Sequence, residues 1–143
     1  MTPEMSANHS ITVESKPSAL DGLCKRILGR LKECRYSDDD LFAVHLAFEE
    51  AFLNAVKHGN KMDPTKTVKV EYSIDRDKIE IAITDQGEGF DPSRIPDPRV
   101  GDNLYRPDGR GLLLIGAYMD VMEYNQTGKR VYMAKYSHES PQP

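Results

Sequence analysis

Residues 49–60 read EEAFLNAVKHGN. Placed on a helical wheel at about 100° per residue, Val44, Phe48, Ala51, Phe52 and Ala55 gather on one core-facing arc. Glu50 and Asn54 fall together at the edge of that arc, and His58 follows them. Glu49 falls on the far side, toward solvent. The two adjacent glutamates are therefore not equivalent. A Glu–Asn pair at i,i+4 is energetically weak, and on the helix alone its commoner reading is a solvated or capping face. A functional reading needs a second feature aimed at the same place.

Working outward, the helix has a clear start. Ser37 can cap, and Asp38, Asp39 and Asp40 suit the positive end of a helix. The pattern predicts a helix from about Asp38 to His58, with Gly59 as the residue just past its end. His58, in the last turn, suits the terminal carbonyls and the dipole. Lys57 and Asn60 read as surface or cap residues, and His45 as structural. Upstream, residues 10–15 (SITVES) alternate as a strand. Ser18 with Asp21 three positions on offers a second N-cap. Leu20, Leu23, Cys24, Ile27, Leu28 and Leu31 then recur at helical spacing to about Lys32.

Downstream, Val68, Val70, Tyr72 and Ile74 alternate with polar residues, so 67–74 is a strand. Asp75 to Lys78 turns the chain, and Ile79, Ile81 and Ile83 mark the returning strand. Regular patterning stops from Phe90 to about Asp108, where Pro92, Pro96, Pro98 and Pro107 interrupt it. Such a segment inside a compact domain is often a functional lid, expected to be mobile when its ligand is absent. An insertion without a role is the alternative. An apolar helix is expected from Gly111 to about Asp120. A second hairpin, 121–125 and 130–136, closes around Gln126-Thr127-Gly128-Lys129. The order β-α-α-β-β-lid-α-β-β predicts an α+β fold, with helices layered on one face of a mixed, mostly antiparallel sheet.

The 143 residues suit one domain, with 38% hydrophobic and 29% charged residues. We expect residues 1–9 and 137–143 to be terminal tails around a single domain at 10–136. No apolar run approaches the roughly 18 residues of a membrane span, and the first ten residues lack the regions of a secretory signal. With a net charge of −4 and no basic block, a direct nucleic-acid surface is not expected. Cys24 and Cys34 lack metal-ligand spacing. Cys24 lies on an apolar stripe and reads as a reduced core thiol, which fits a cytoplasmic protein.

Two further stretches point back to the helix. Asp85-Gln86-Gly87-Glu88-Gly89-Phe90 follows a strand directly. Its glycines allow a tight turn and close approach of backbone to a ligand, and its aspartate could accept from a purine amine. A plain turn is the competing reading. Asp108-Gly109-Arg110-Gly111-Leu112 opens the apolar helix, where backbone N–H groups attract anions and glycine admits phosphate. Each motif alone is weak.

In this order and spacing, the three motifs resemble the Bergerat (GHKL) ATP-binding fold of gyrase, chaperone ATPases, histidine kinases and mismatch-repair ATPases. EEAFLNAVKHGN, ITDQGEGFDP and GRGLLLIGAYMDVMEYN more narrowly resemble the anti-sigma-factor serine kinases of the RsbW and SpoIIAB type, over roughly residues 10–136. The resemblance implies ATP and Mg²⁺ as ligands, a lid at about 90–108, and a set of residue roles. Asn54 would ligate Mg²⁺ beside the phosphates, and Glu50 would be the general base. Asp85 would read the adenine amino group, with Gly87 and Gly89 shaping the pocket. Gly109 and Gly111 would approach the phosphates, with Arg110 between them. His58 could lie near the phosphates, although a cap is the commoner reading. The implied partners are a sigma factor, a STAS-type anti-anti-sigma protein and a second copy of the chain. The competing function is a module that binds ATP and sequesters a partner without phosphoryl transfer.

Overall fold

The computed structural model describes residues 9–89 and 118–137. The lid, Gly109, Arg110, Gly111 and residues 112–117 of the expected apolar helix lie outside them, as do residues 1–8 and 138–143. Strand β1 (His9–Glu14) leads to α1 (Leu20–Glu33) and α2 (Asp38–Asn54). A hairpin of β2 (Thr67–Ile74) and β3 (Lys78–Thr84) follows, and later a hairpin of β4 (Val121–Tyr124) and β5 (Arg130–Tyr136). The strands form one sheet in the order β1-β2-β3-β5-β4. Every pairing among the described residues is antiparallel, so the expected mixed sheet is not seen there.

The register explains the core. Val70 faces Ile83, Tyr72 faces Ile81 and Ile74 faces Ile79 across β2 and β3. Ile81 and Ile83 in turn face Met133 and Val131 of β5. Because side chains alternate faces along a strand, these residues form a single apolar surface, and all of them are buried. The helices cover it. Leu23, Cys24, Ile27 and Leu31 come from α1, and Val44, Ala47, Phe48, Ala51 and Phe52 from α2. The arc read from the wheel is the arc that is buried. Phe48 and Phe52 pack one turn apart with their rings tilted by 36° and centroids at 6.1 Å.

Ser37 caps α2 as expected, its Oγ accepting from the Asp40 N–H at 3.1 Å. Asp40 does more than favour the dipole. It is fully buried, and its carboxylate lies 3.9 Å from the Lys135 ammonium, while Lys135 also donates to the Tyr118 carbonyl at 3.1 Å. The expected Ser18 cap does not form. A 3₁₀ turn at Pro17–Ala19 precedes α1, and Ala19 takes the cap position without a side-chain hydrogen bond. Proline suits the first position of such a turn, which draws Ser18 into the turn itself. At the termini, His9 belongs to β1 and its ring stacks on Tyr72 at 4.7 Å. Ser137 is buried, and its N–H donates to the Asp77 carbonyl. His9 and Ser137, assigned to the tails by the patterning, are thus part of the described fold.

Cys24 is a buried free thiol, as its place on the stripe suggested. Burial, helped by the Glu49 and Asp21 carboxylates, raises it from 9.0 to about 11. The folded thiol therefore keeps its proton to higher pH than the unfolded one. The stability this contributes is complete below about pH 9 and declines as pH rises toward about 11. Burial also pushes the Tyr36 and Tyr132 phenols upward, a contribution that a Cys24 variant retains. In denaturant titrations at about pH 8 and about pH 10.5, wild type should lose more stability than Cys24→Ala. Equal losses would contradict this account.

Candidate functional site

The site lies where the end of α2 meets the end of β3. After Asn54 the helix widens into a π turn, Ala55–Gly59, a form often found at functional sites. The Asn60 N–H returns to the Ala55 carbonyl at 2.8 Å, and the Met62 N–H to the Val56 carbonyl at 2.8 Å. Gly59 was expected to be the residue just past the helix, a place where glycine often takes the left-handed conformation. It lies inside the π turn without positive φ, and the left-handed residues are Lys61 and Met62 (φ 53° and 61°). Gly59 is needed for another reason. A Cβ there would overlap the Asp85 carboxylate.

Asp85 is held at several points. Its N–H donates to the Lys129 carbonyl at 2.9 Å, and its Oδ1 accepts from the Gly87 N–H at 2.8 Å. A Cβ on Gly87 would overlap the Gly59 carbonyl, and one on Gly89 the Thr127 carbonyl. Gly89 also has a φ of 79°, which L side chains rarely adopt. The glycine pair thus serves both as a turn and as a close packing surface. The turn between β4 and β5 forms the opposite wall.

Two adjoining cavities result. One is lined by Asn54, Ala55, Gly59, Asp85, Tyr124 and Lys129 among others. The other, about 170 Å³, is lined by His58, Gly59, Lys61, Asp85, Glu88 and Gly89 with Gly128. Asn54 and Asp85, about thirty residues apart in the chain, share the first cavity. Gly89 and His58 border the second. Glu50 is half-buried one turn before Asn54 and lines neither cavity. Across the second cavity, Lys61 and Glu88 approach to 4.0 Å, an exposed pair worth little.

The Asn54 amide suits an oxygen-rich ligand. Its Nδ2 is buried and makes no hydrogen bond, a costly state for a polar group. The amide can turn over to present Oδ1 at the same place. An amide oxygen is a suitable donor for Mg²⁺, which keeps waters and shares ligand oxygens. No group of three or more His, Cys, Asp or Glu among the described residues could hold a metal. A cation here would draw on Asn54 and on oxygens of a bound phosphate.

Glu49, read as solvent-facing, is half-exposed with its carboxylate 3.7 Å from His45 Nε2, which gives His45 a partner. Asn60 was misread. It is completely buried, because the π turn redirects the chain inward where an α-helix would have released it. Its place after a predicted helix-ending glycine was the only signal, and that signal suggests a cap. Gly59 is the sensitive point of this packing. Gly59→Ala should cost about 2 kcal/mol through overpacking, measured by denaturant unfolding, and Gly29→Ala, which has open space around its Cβ position, should not. Equal stability of the two variants would refute the close-packing role.

The profile of the histidine kinase-like ATPase domain matches residues 13–135. The chain is 32% identical over 132 residues to the serine-protein kinase RsbW of Bacillus licheniformis, covering 85% of this chain and 81% of that one. It is 31% identical to RsbW of Oceanobacillus iheyensis, covering 87% and 83%. It is 35% identical to RsbW of Listeria innocua, covering 73% and 71%. Its fold resembles a crystal structure of the RsbU and RsbW domains of a Mycobacterium tuberculosis protein, with a TM-score of 0.60 and 13% identity, over 95% of this chain and 35% of that one. The chain belongs to the histidine kinase-like ATPase domain family, among the relatives of the RsbW serine-protein kinases.

Proposed function

We propose that this chain is an ATP-dependent protein-serine kinase of a partner-switching system. It binds a sigma factor and phosphorylates a STAS-type anti-anti-sigma protein, acting as a cytoplasmic homodimer. The observation that carries the reading is the shared cavity of Asn54 and Asp85, with the Asn54 Nδ2 buried and making no hydrogen bond. The names of the relatives and the length over which they match support it.

In this reading Asp85 accepts a hydrogen bond from the adenine amino group. Gly87 and Gly89 give the base room, and Asn54 holds Mg²⁺ through its amide oxygen. Gly109, Arg110 and Gly111 receive the phosphates. The bound Mg²⁺ supplies neutralisation of phosphate charge. Glu50 accepts the proton of the partner serine as its oxygen bonds to the γ-phosphorus. The bond from that phosphorus to the β-bridging oxygen breaks, and ADP leaves. Because the transition state is loose, Glu50 orients the serine as much as it deprotonates it. The competing reading, a nucleotide-dependent binding module without transfer, keeps Asn54 and Asp85 but gives Glu50 no task.

Purified protein with Mg-ATP and a STAS-domain partner should label one serine. Glu50→Ala should lower transfer by at least about 100-fold with ATP binding retained. Nucleotide binding without any labelled serine would leave only the binding module. Separately, Asn54→Ala should weaken Mg-dependent ATP binding by about tenfold or more. An unchanged dependence on Mg²⁺ would remove Asn54 as the ligand.

A further inference from the structure

Asn60 lines neither cavity, yet it is a buried polar hub between the segments that build the site. Its Nδ2 donates to Ser15 Oγ at 2.9 Å and to the Thr67 carbonyl at 3.0 Å. Its Oδ1 accepts from the Gln86 N–H at 2.8 Å. One side chain thus joins the end of β1, the start of β2 and the end of β3. Gln86 closes the circuit, its Oε1 accepting from the Thr67 N–H at 2.8 Å. An amide offers two donors and an acceptor, and here all three functions are used. A buried amide whose donors and acceptor are all satisfied holds the local structure rigid, and here the Gln86–Thr67 bond at the surface completes the hold.

Gln86 is the residue next to Asp85. The Lys129 carbonyl fixes the Asp85 N–H, and Asn60 fixes the amide on its other side. The same residue ends the π turn, so one group sets both the helix end and the strand end that face each other at Gly59. The two left-handed residues that follow, Lys61 and Met62, are a conformation that costs energy for L side chains. It persists only where the surroundings impose it, and the Asn60 network is part of those surroundings.

We propose that Asn60 is a positioning residue for base selection. It holds the Asp85–Gln86 peptide so that the Asp85 carboxylate accepts from a 6-amino purine and repels a 6-oxo purine. The 6-amino group is a donor and the 6-oxo group an acceptor, so a fixed carboxylate separates them while a mobile one can turn away. The proposal rests on Asp85 as the reader of adenine.

The test is the ratio of dissociation constants for ITP and ATP, measured by competition on the purified full chain. Asn60→Asp is isosteric but sets a carboxylate oxygen against the Thr67 carbonyl. It should lower the ratio by about tenfold, mainly through weaker ATP binding, while melting remains cooperative. A residue with a general structural role would weaken both nucleotides together and leave the ratio unchanged, and that result overturns the proposal. If Asn60→Asp does not fold, Ser15→Ala removes one partner of the same amide. It should lower the ratio by about threefold, and an unchanged ratio there overturns the proposal equally. Asp85→Asn separates the two layers. If it leaves the ratio intact, the adenine reading itself fails. If it abolishes the preference while the Asn60 and Ser15 variants retain it, only the positioning role is lost.

Discussion

The site depends on one close approach, that of the Gly59 backbone to the Asp85 carboxylate. There is no room for a Cβ at Gly59, and Gly87 is pressed equally closely against the Gly59 carbonyl. The apolar face of α2 commits the helix to the sheet through Phe48, Phe52 and Val44, all essentially buried. Once that packing is set, the end of the helix must meet the end of β3. The two can meet only where side chains are missing. The glycines of the two motifs are thus complementary halves of one contact.

The π turn makes this approach possible. A regular α-helix ending in a left-handed glycine would carry the chain away from the sheet. Widening the last turn instead drives Asn60 into the interior, where its amide replaces the water that the strand ends would otherwise bind. A neutral amide suits this place better than a charge. Its donors and acceptor match a hydroxyl, a carbonyl and an N–H without an ionic desolvation cost. The strained residues that follow remain on the surface, with Lys61 and Met62 both exposed, so they displace no core packing.

The two ends of α2 are held differently. At its start, buried Asp40 faces Lys135, which also binds the Tyr118 carbonyl. This end is anchored by charge and a cap. Its far end carries Asn54 into the cavity with an unfilled hydrogen bond. A helix secured at one end and left polar at the other can hold a ligand group in a defined place. The cost of the unsatisfied amide is borne by the packing of the rest.

Much of this was legible in the residues. Period-two alternation marked β2 and β3 because one face of each is buried and the other is more open, while β4 and β5 were marked by the turn between them. The wheel marked the buried arc of α2, and Ser37 followed from local capping chemistry. These features depend on neighbours in the chain. Ser18 was misjudged because Pro17 imposed a 3₁₀ turn. Gly59 was singled out by its place past the helix, whereas it lies within the π turn and its contact with Asp85 is what requires a glycine there. Sequence alone determined the elements, the buried faces and the candidate residues Glu50, Asn54 and Asp85, since each rests on local periodicity or motif. Tertiary structure alone decided that Asn54 and Asp85 share a cavity, that Asn60 and Asp40 are buried, and that Gly59 is a point of contact. Those facts arise from segments distant in sequence being pressed together, and no local pattern records which groups will meet.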